Sequence, residues 1–360
     1  MRVALIGPLP AESGRPAGGV QAAVEMLAHS LVGQGVDVVV IDPFTGHRAT
    51  PGAEWEEVRL HASPAWRMGS LKAPRDLARA VAATRADVLH VHLGMQFCAL
   101  HEASVATVHG FPDLESRMRN PGLKGILASA ALRRPFLKGL ASAKRVISIS
   151  DEVTRVAREV GVPSVRIPNP VARPFFEVER LPGDDFIAIG DVMRRKNQLL
   201  LIEGFTGFVR AGGEGDLLII GRVGDEAYWH ECQAAAESAG DRVRFLGSKG
   251  RDEVIWYLTR AKASVSASLR ETSSIALAEA LAANCPVLTF DVGTAREQVG
   301  LDSAYGIVLP ASSTSATLTE AFFALAARPF EGASLRSSVA AQHPNAVAVE
   351  TLKVYRSLAK

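Results

Sequence analysis

Short apolar runs alternate with helix-period segments along the first half of the chain. Residues 3–6, 36–41, 57–60, 88–92, 105–108, 146–149 and 165–167 have the length and β-branched content of strands. Between the first two, Val20, Val24, Leu27 and Leu31 recur on one helical face, and Gly33 and Gly35 supply the stop. Such alternation predicts a parallel sheet with helices on both faces.

The pattern then breaks at Asn169-Pro170, Pro174 and the Pro182-Gly183-Asp184-Asp185 stretch, punctuation that marks a linker over 173–184. It restarts with strands at 186–190, 216–221, 243–247, 263–267 and 305–309, and a further strand opening at Pro286. Helices are predicted over 197–210, around 228–239, over 252–260 and, last, over about 346–358. The expected organisation is α/β: two doubly wound, Rossmann-like domains, 1–172 and 185–342, with 343–360 as a terminal helix. Sheets of this kind bind ligands at their strand C-terminal ends, here in an interdomain cleft.

Bulk properties narrow the class. At 360 residues the chain exceeds the size at which one core stops growing. A net charge of +2 gives no case for nucleic acid. Three cysteines, Cys98, Cys232 and Cys285, are widely spaced with no metal-binding pattern, which points to a reduced, cytoplasmic protein. The first apolar run is stopped by Gly7-Pro8 and is too short for a signal peptide, and no stretch approaches a membrane span.

Candidate chemistry is concentrated between Ala263 and Gln298. A strand ends before Glu271, the hydroxyl cluster Thr272, Ser273 and Ser274 follows, and a helix from Ile275 carries Glu279. A helix N-terminus suits anionic phosphates, and two carboxylates near it suit hydroxyls. Gly18 and Gly19 precede the first helix and allow close backbone approach, although a glycine-softened surface loop reads the same way. Arg194, Arg195 and Lys196 stand between a strand and a helix, where cations can meet diphosphate or simply solvent. His109 closes a strand, at a place where an imidazole can bond a sugar hydroxyl. His90 and His92 share one strand face without a third metal ligand and read as cleft-wall residues. From 117 to 145 the cations Arg117, Arg119, Lys124, Arg133, Arg134, Lys138, Lys144 and Arg145 interleave with leucines, with no acid among them. That segment is either a cationic face of a core-packed helix or a peripheral contact with an anionic membrane or phosphorylated acceptor.

Taken in order, these motifs resemble the retaining glycosyltransferases of the GT-B fold, specifically glycosyltransferase family 4. The resemblance spans nearly the whole chain: Gly18–Val20, His90–His92, Thr107–Gly110, Ser148–Val153, Ile167–Val171, Arg194–Phe205, Leu217–Gly221, Val243–Gly247 and the Glu271–Glu279 block. It implies an N-terminal acceptor domain, a C-terminal nucleotide-sugar-binding domain and a last helix that packs back on the first domain. It also implies transfer, without metal or cofactor, to a hydroxyl acceptor on a polysaccharide, glycolipid or metabolite. Glu271 would bond sugar hydroxyls and Glu279 the ribose. Lys196, with Arg195, would neutralise the diphosphate, helped by amides at Ser273–Ile275 and by Gly18 and Gly19. His109 would contact the transferred sugar, and Leu246, Gly247 and Ser248 would flank the nucleobase.

Two departures stand out. Relatives carry Arg where this chain has Asp191, with Arg194 or Arg195 as candidate substitutes, and their loop after the first Glu is Gly/Phe-rich instead of Thr-Ser-Ser. Asp191 motivates a competing reading, a catalytically weakened sugar-nucleotide-binding partner subunit. A sugar-nucleotide epimerase of the same fold is the other. A phosphorylase is disfavoured, because no lysine context suggests pyridoxal phosphate.

Overall fold

The computed structural model describes all residues except 17, 46–53, 60–74, 120–121, 301–304, 328–334 and 360. The chain forms two compact units, one of Met1–Pro170 with Pro344–Lys360 and one of Val171–His343.

The first unit holds β1 (Arg2–Ile6), α1 (Gly19–Val32), β2 (Asp37–Asp42), β3 (Glu56–Arg59), α2 (Arg75–Thr84), β4 (Val88–Val91), β5 (Ser104–Thr107), α3 (Pro112–Arg119), α4 (Leu123–Leu140), β6 (Arg145–Ser148), α5 (Asp151–Glu159) and β7 (Ser164–Arg166). Leu60, placed by sequence at the end of the third strand, lies outside the described residues. The seven strands pair in the order β3-β2-β1-β4-β5-β6-β7, each pairing parallel. Two-sided burial explains the continuous apolar runs. Val3 and Leu5 of β1 enter one core, and Ala4 and Ile6 enter the other. Val38 and Val40 against Val39 and Ile41 divide the same way in β2.

The second unit holds β8 (Phe186–Ile189), α6 (Gln198–Arg210), β9 (Leu217–Ile220), α7 (Glu226–Ala236), β10 (Val243–Gly247), α8 (Arg251–Arg260), β11 (Ala263–Val265), α9 (Ile275–Ala282), β12 (Val287–Phe290), α10 (Ala295–Val299), β13 (Gly306–Leu309) and α11 (Ser315–Ala327). Its sheet runs β10-β9-β8-β11-β12-β13, so the strand order reverses between β8 and β11. Its core is anchored by Phe186, Phe205, Phe208 and Phe322, with Phe186 and Phe322 in an edge-on contact at 4.9 Å between ring centres.

The last helix, α12 (Pro344–Arg356), belongs to the first unit. Its Val347, Ala348, Leu352 and Tyr355 join the core that also takes Val24, Leu27 and Leu31 of α1. Among the described residues no helix is long and apolar enough to cross a membrane.

Candidate functional site

In the second unit, the residues singled out by sequence lie at the C-terminal ends of parallel strands or in the loops leaving them, apart from Ile275 and Glu279 in the helix that follows one of them. The loops after β8 and β11 flank the strand-order reversal, where doubly wound sheets open a crevice. After β8 the chain makes a 3-10 turn over Arg194–Lys196, and Asn197 takes a left-handed conformation (φ 55°) to enter α6. Buried Gln198 holds this loop: its amide nitrogen donates to the Asp191 carbonyl at 2.9 Å, and its side-chain oxygen accepts from the Met193 amide. Arg195 ties the turn to the loop after β11, its carbonyl accepting from the Leu269 amide and its guanidinium donating to the Arg270 carbonyl, both at 2.9 Å.

Two cations thereby converge on Glu271. Lys196 Nζ lies 2.7 Å from Oε1, and an Arg195 guanidinium nitrogen lies 3.1 Å from Oε2. Lys196 reaches it by crossing Gly190, where a Cβ would stand 3.0 Å from the lysine Cε. Burial pushes the Glu271 carboxyl up, but Lys196 and Arg195, with hydrogen bonds from Lys196 and Ser268, outweigh burial and hold it below the ordinary range. Glu271 is therefore a carboxylate sharing two charges that have capacity for a further anion.

The next residues build the start of α9. Ser274 caps it, its Oγ accepting from the Leu277 amide at 3.3 Å, so the preceding amides point out of the helix end. Thr294 Oγ1 donates to Ser273 Oγ at 3.2 Å. Gly293 presses on this loop in a left-handed conformation (φ 59°), where a Cβ would fall 2.7 Å from the Glu271 carbonyl and 2.8 Å from that of Thr272. One turn into α9, burial raises the Glu279 carboxyl to about 7, partly opposed by the charge of Arg251. Glu279 can thus both donate and accept near neutral pH.

Asp191 is not left as a bare anion. Its carboxylate pairs with Arg222, from the loop after β9, at 2.7 Å, and also accepts from the Arg222 backbone amide at 3.3 Å. The two loops can meet because Gly221 lies against Gly190, where a Cβ would come within 2.1 Å of the Gly190 carbonyl oxygen. Arg194, one of the expected substitutes, turns away: it pairs with Glu231 and lies over the Tyr228 ring. Only Arg195 of that pair joins the Glu271 cluster. At the far edge of the sheet, a register shift between Phe245 and Gly247 leaves Leu246 out of the ladder, and Gly247 and Ser248 are exposed.

The first unit gathers its own polar group. His92 Nδ1 and His109 Nε2 are 3.0 Å apart and share one hydrogen, their rings nearly parallel. His90 is saturated, with Nδ1 2.6 Å from the Tyr355 hydroxyl and Nε2 2.8 Å from Thr107 Oγ1. Burial lowers all three rings, His90 to about 3, His109 to about 4 and His92 also well down, so they are neutral at physiological pH. His90 and His92 are therefore interior residues, 1% and 3% exposed, and not the cleft-wall residues expected. The two rings do share one strand face, their centres 4.1 Å apart, but α12 packs over it and sets the Tyr355 hydroxyl on His90. The Nε2 of His92 is buried with no hydrogen-bond partner among the described residues. It borders a cavity lined also by His90, Thr107, His109, Asn169 and Thr351.

Gly18 and Gly19 stand at the start of α1, which has no acid in its first turn and no side-chain cap. The loop before them is pinned from inside: buried Glu25 accepts from Ser13 Oγ at 2.8 Å and the Gly14 amide at 3.0 Å. Buried Asp42 accepts from the Leu9 amide. Sequence reading missed these two supports along with Gln198, Arg222, Gly293 and Tyr355. Only the buried acids carried a signal, as charges on otherwise apolar stretches. Among the described residues no cluster of three or more His, Cys, Asp or Glu is arranged to hold a metal ion.

Two family models match the chain. Residues 17–173 match glycosyltransferase family 4, and residues 175–325 match glycosyl transferases group 1. No curated protein matches the sequence. Among solved structures, sucrose-phosphate synthase from Thermosynechococcus elongatus is 19% identical with a TM-score of 0.74, covering 99% of this chain and 98% of its own. A glycosyltransferase from Rickettsia africae is 15% identical with a TM-score of 0.69, covering 100% and 98%. The apo lipopolysaccharide outer core galactosyltransferase WaaB is 13% identical with a TM-score of 0.69, covering 99% of each. At these identities the likeness is one of fold, and that fold is GT-B.

Proposed function

We propose that this chain, which belongs to the GT-B glycosyltransferases of the family 4 and group 1 type, moves a sugar from a nucleotide-diphosphate donor to a hydroxyl acceptor with retention at the anomeric carbon. The observation that carries the reading is the pair of cations, Lys196 and Arg195, converging on Glu271 beside the open amides of α9. In this reading Lys196 and Arg195 take the diphosphate, with the amides of Ser273–Ile275 on the same oxygens. Glu271, released from part of its pairing, accepts from sugar hydroxyls. Glu279 bonds the ribose hydroxyls, and Leu246, Gly247 and Ser248 border the base. Gly18 and Gly19 offer amides to the phosphates, and His109 is assigned to the transferred sugar.

The bond from the anomeric carbon to the diphosphate oxygen breaks, and the bond to the acceptor oxygen forms on the same face. The acceptor's proton passes to a leaving-phosphate oxygen, so no protein base is required and no metal enters the scheme. The protein's contribution is charge stabilisation on the departing diphosphate. The Asp191–Arg222 pair favours this reading over a weakened binding subunit, because the anion at 191 is already neutralised.

Incubation with pooled nucleotide sugars, read by mass spectrometry, tests the assignment. Sugar transfer or slow donor hydrolysis with one donor is the expected result, and proton NMR of the product's anomeric centre reads retention. Tight binding with neither reaction across all donors would assign the chain to the binding-subunit class. Inverted product would remove the same-face route.

A further inference from the structure

We infer that α4 is a docking helix for an anionic lipid surface. The helix packs through one side only: Gly125, Gly139 and Leu140 are buried, and a Cβ on Gly139 would come within 2.5 Å of the Gln96 amide nitrogen. The opposite side, at i, i+4, i+7, i+11 and i+15, carries Leu123, Leu127, Ala130, Arg134 and Lys138, all exposed. Leu123 is 71% exposed, Leu127 63% and the flanking Ile126 49%, a contiguous apolar group at the first two turns that stands open among the described residues. Large apolar side chains at such exposure, side by side, mark an interaction surface, whereas scattered ones do not.

Charge complementarity identifies the partner. Among the described residues, Lys124, Arg134 and Lys138 have no recorded ion pair, and no acid occurs between 117 and 145. Arg133 is different: it bonds Glu159 at 3.0 Å and lies 3.4 Å from buried Asp113, so it belongs to the fold. The outward stripe is therefore apolar at its start and cationic along its second half. A headgroup layer of negative charge over an acyl boundary satisfies both halves, with the leucines inserted and the cations on the phosphates. A second protein surface would need acids to match the cations, and the segment 117–145 itself contains none. The inference is independent of the transfer reaction assigned above.

Flotation of the full chain with vesicles of phosphatidylcholine alone, or mixed with phosphatidylglycerol, is the test. Binding to the anionic vesicles only, weakened by salt, is expected. Replacing Lys124, Arg134 and Lys138 together by alanine should weaken it on the order of 100-fold, at roughly fivefold per cation. Leu123→Ser with Leu127→Ser should abolish stable binding, and both side chains are exposed enough to change without unfolding. Arg133→Ala is the control and should bind as the parent does. Equal partition onto both vesicle types, no flotation, or triple-alanine binding equal to the parent would each overturn the inference. So would sedimentation showing a dimer that Leu123→Ser dissolves while lipid is ignored.

Discussion

Replacing Lys196 by methionine separates what the cation does for the fold from what it does for the reaction. In the parent, Glu271 has two partners, at 2.7 Å and 3.1 Å, and the Lys196 and Glu271 side chains are 17% and 13% exposed. Exposed pairs are worth at most about 1 kcal/mol, and breaking fully buried ones costs about 3–5 kcal/mol. With Arg195 still in place, Lys196→Met should cost about 2 kcal/mol, or a fall of about 6 °C in the thermal transition of a unit of this size. The pH dependence has a definite sign. Glu271 is held below the ordinary carboxylate range, so its pairing adds stability above that range and loses it as pH falls through the depressed value. The gap between parent and variant should therefore close in acid. The double variant Lys196→Met/Glu271→Gln should recover part of the stability, because no buried carboxylate is left short of a partner, while Arg195 keeps its bond to the Arg270 carbonyl. Activity should not recover: losing a diphosphate cation should lower kcat/KM on the order of 100-fold, about 3 kcal/mol, in both. Calorimetry across pH and initial rates on the same preparations read both effects. A stability gap that persists in acid, or a double variant with restored activity, would refute the division of roles.

Four further outcomes are expected. Nucleotide binding by titration calorimetry should tighten as pH rises through about 7, as Glu279 ionises and accepts from two ribose hydroxyls, and Glu279→Gln should flatten that dependence. The same group lowers stability between 4.5, where the unfolded chain ionises, and about 7, so Glu279→Gln should stabilise at alkaline pH and not in acid. Arg222→Ala should raise the donor KM several-fold by baring Asp191, and adding Asp191→Ala should restore it; a double variant as poor as the single would assign Arg222 a direct role. Gly293→Ala should cost about 1–3 kcal/mol in thermal melts, from its left-handed backbone and the carbonyls of Glu271 and Thr272 behind it.

Much of the scaffold was legible because the central strands are buried on both faces and read as largely apolar runs. The start of α9 was legible for a local reason: Thr272, Ser273 and Ser274 precede an apolar helix, and Ser274 caps it. Pairings set by topology were not. Asp191 meets Arg222 only because β8 and β9 are neighbours with glycines at their ends. The sequence showed an acid among basic residues, and its partner stood 31 positions away. The histidines followed the same logic. Period two placed His90 and His92 on one face, but the cover over that face, with the Tyr355 hydroxyl on His90, comes from the last helix.

That last helix also sets an order of events during synthesis. The cavity beside His92 and the core around Val24 and Leu27 need side chains that leave the ribosome after all of Val171–His343. The second unit's residues are complete before the first unit can close. Until Tyr355 emerges, His90 lacks its hydroxyl partner and the part of that sheet face beside α1 which α12 seals stays uncovered. A nascent chain is thus committed to holding part of an apolar sheet face open through most of translation, and a premature stop near residue 343 would release a protein with all the residues of the second unit and an unsealed first.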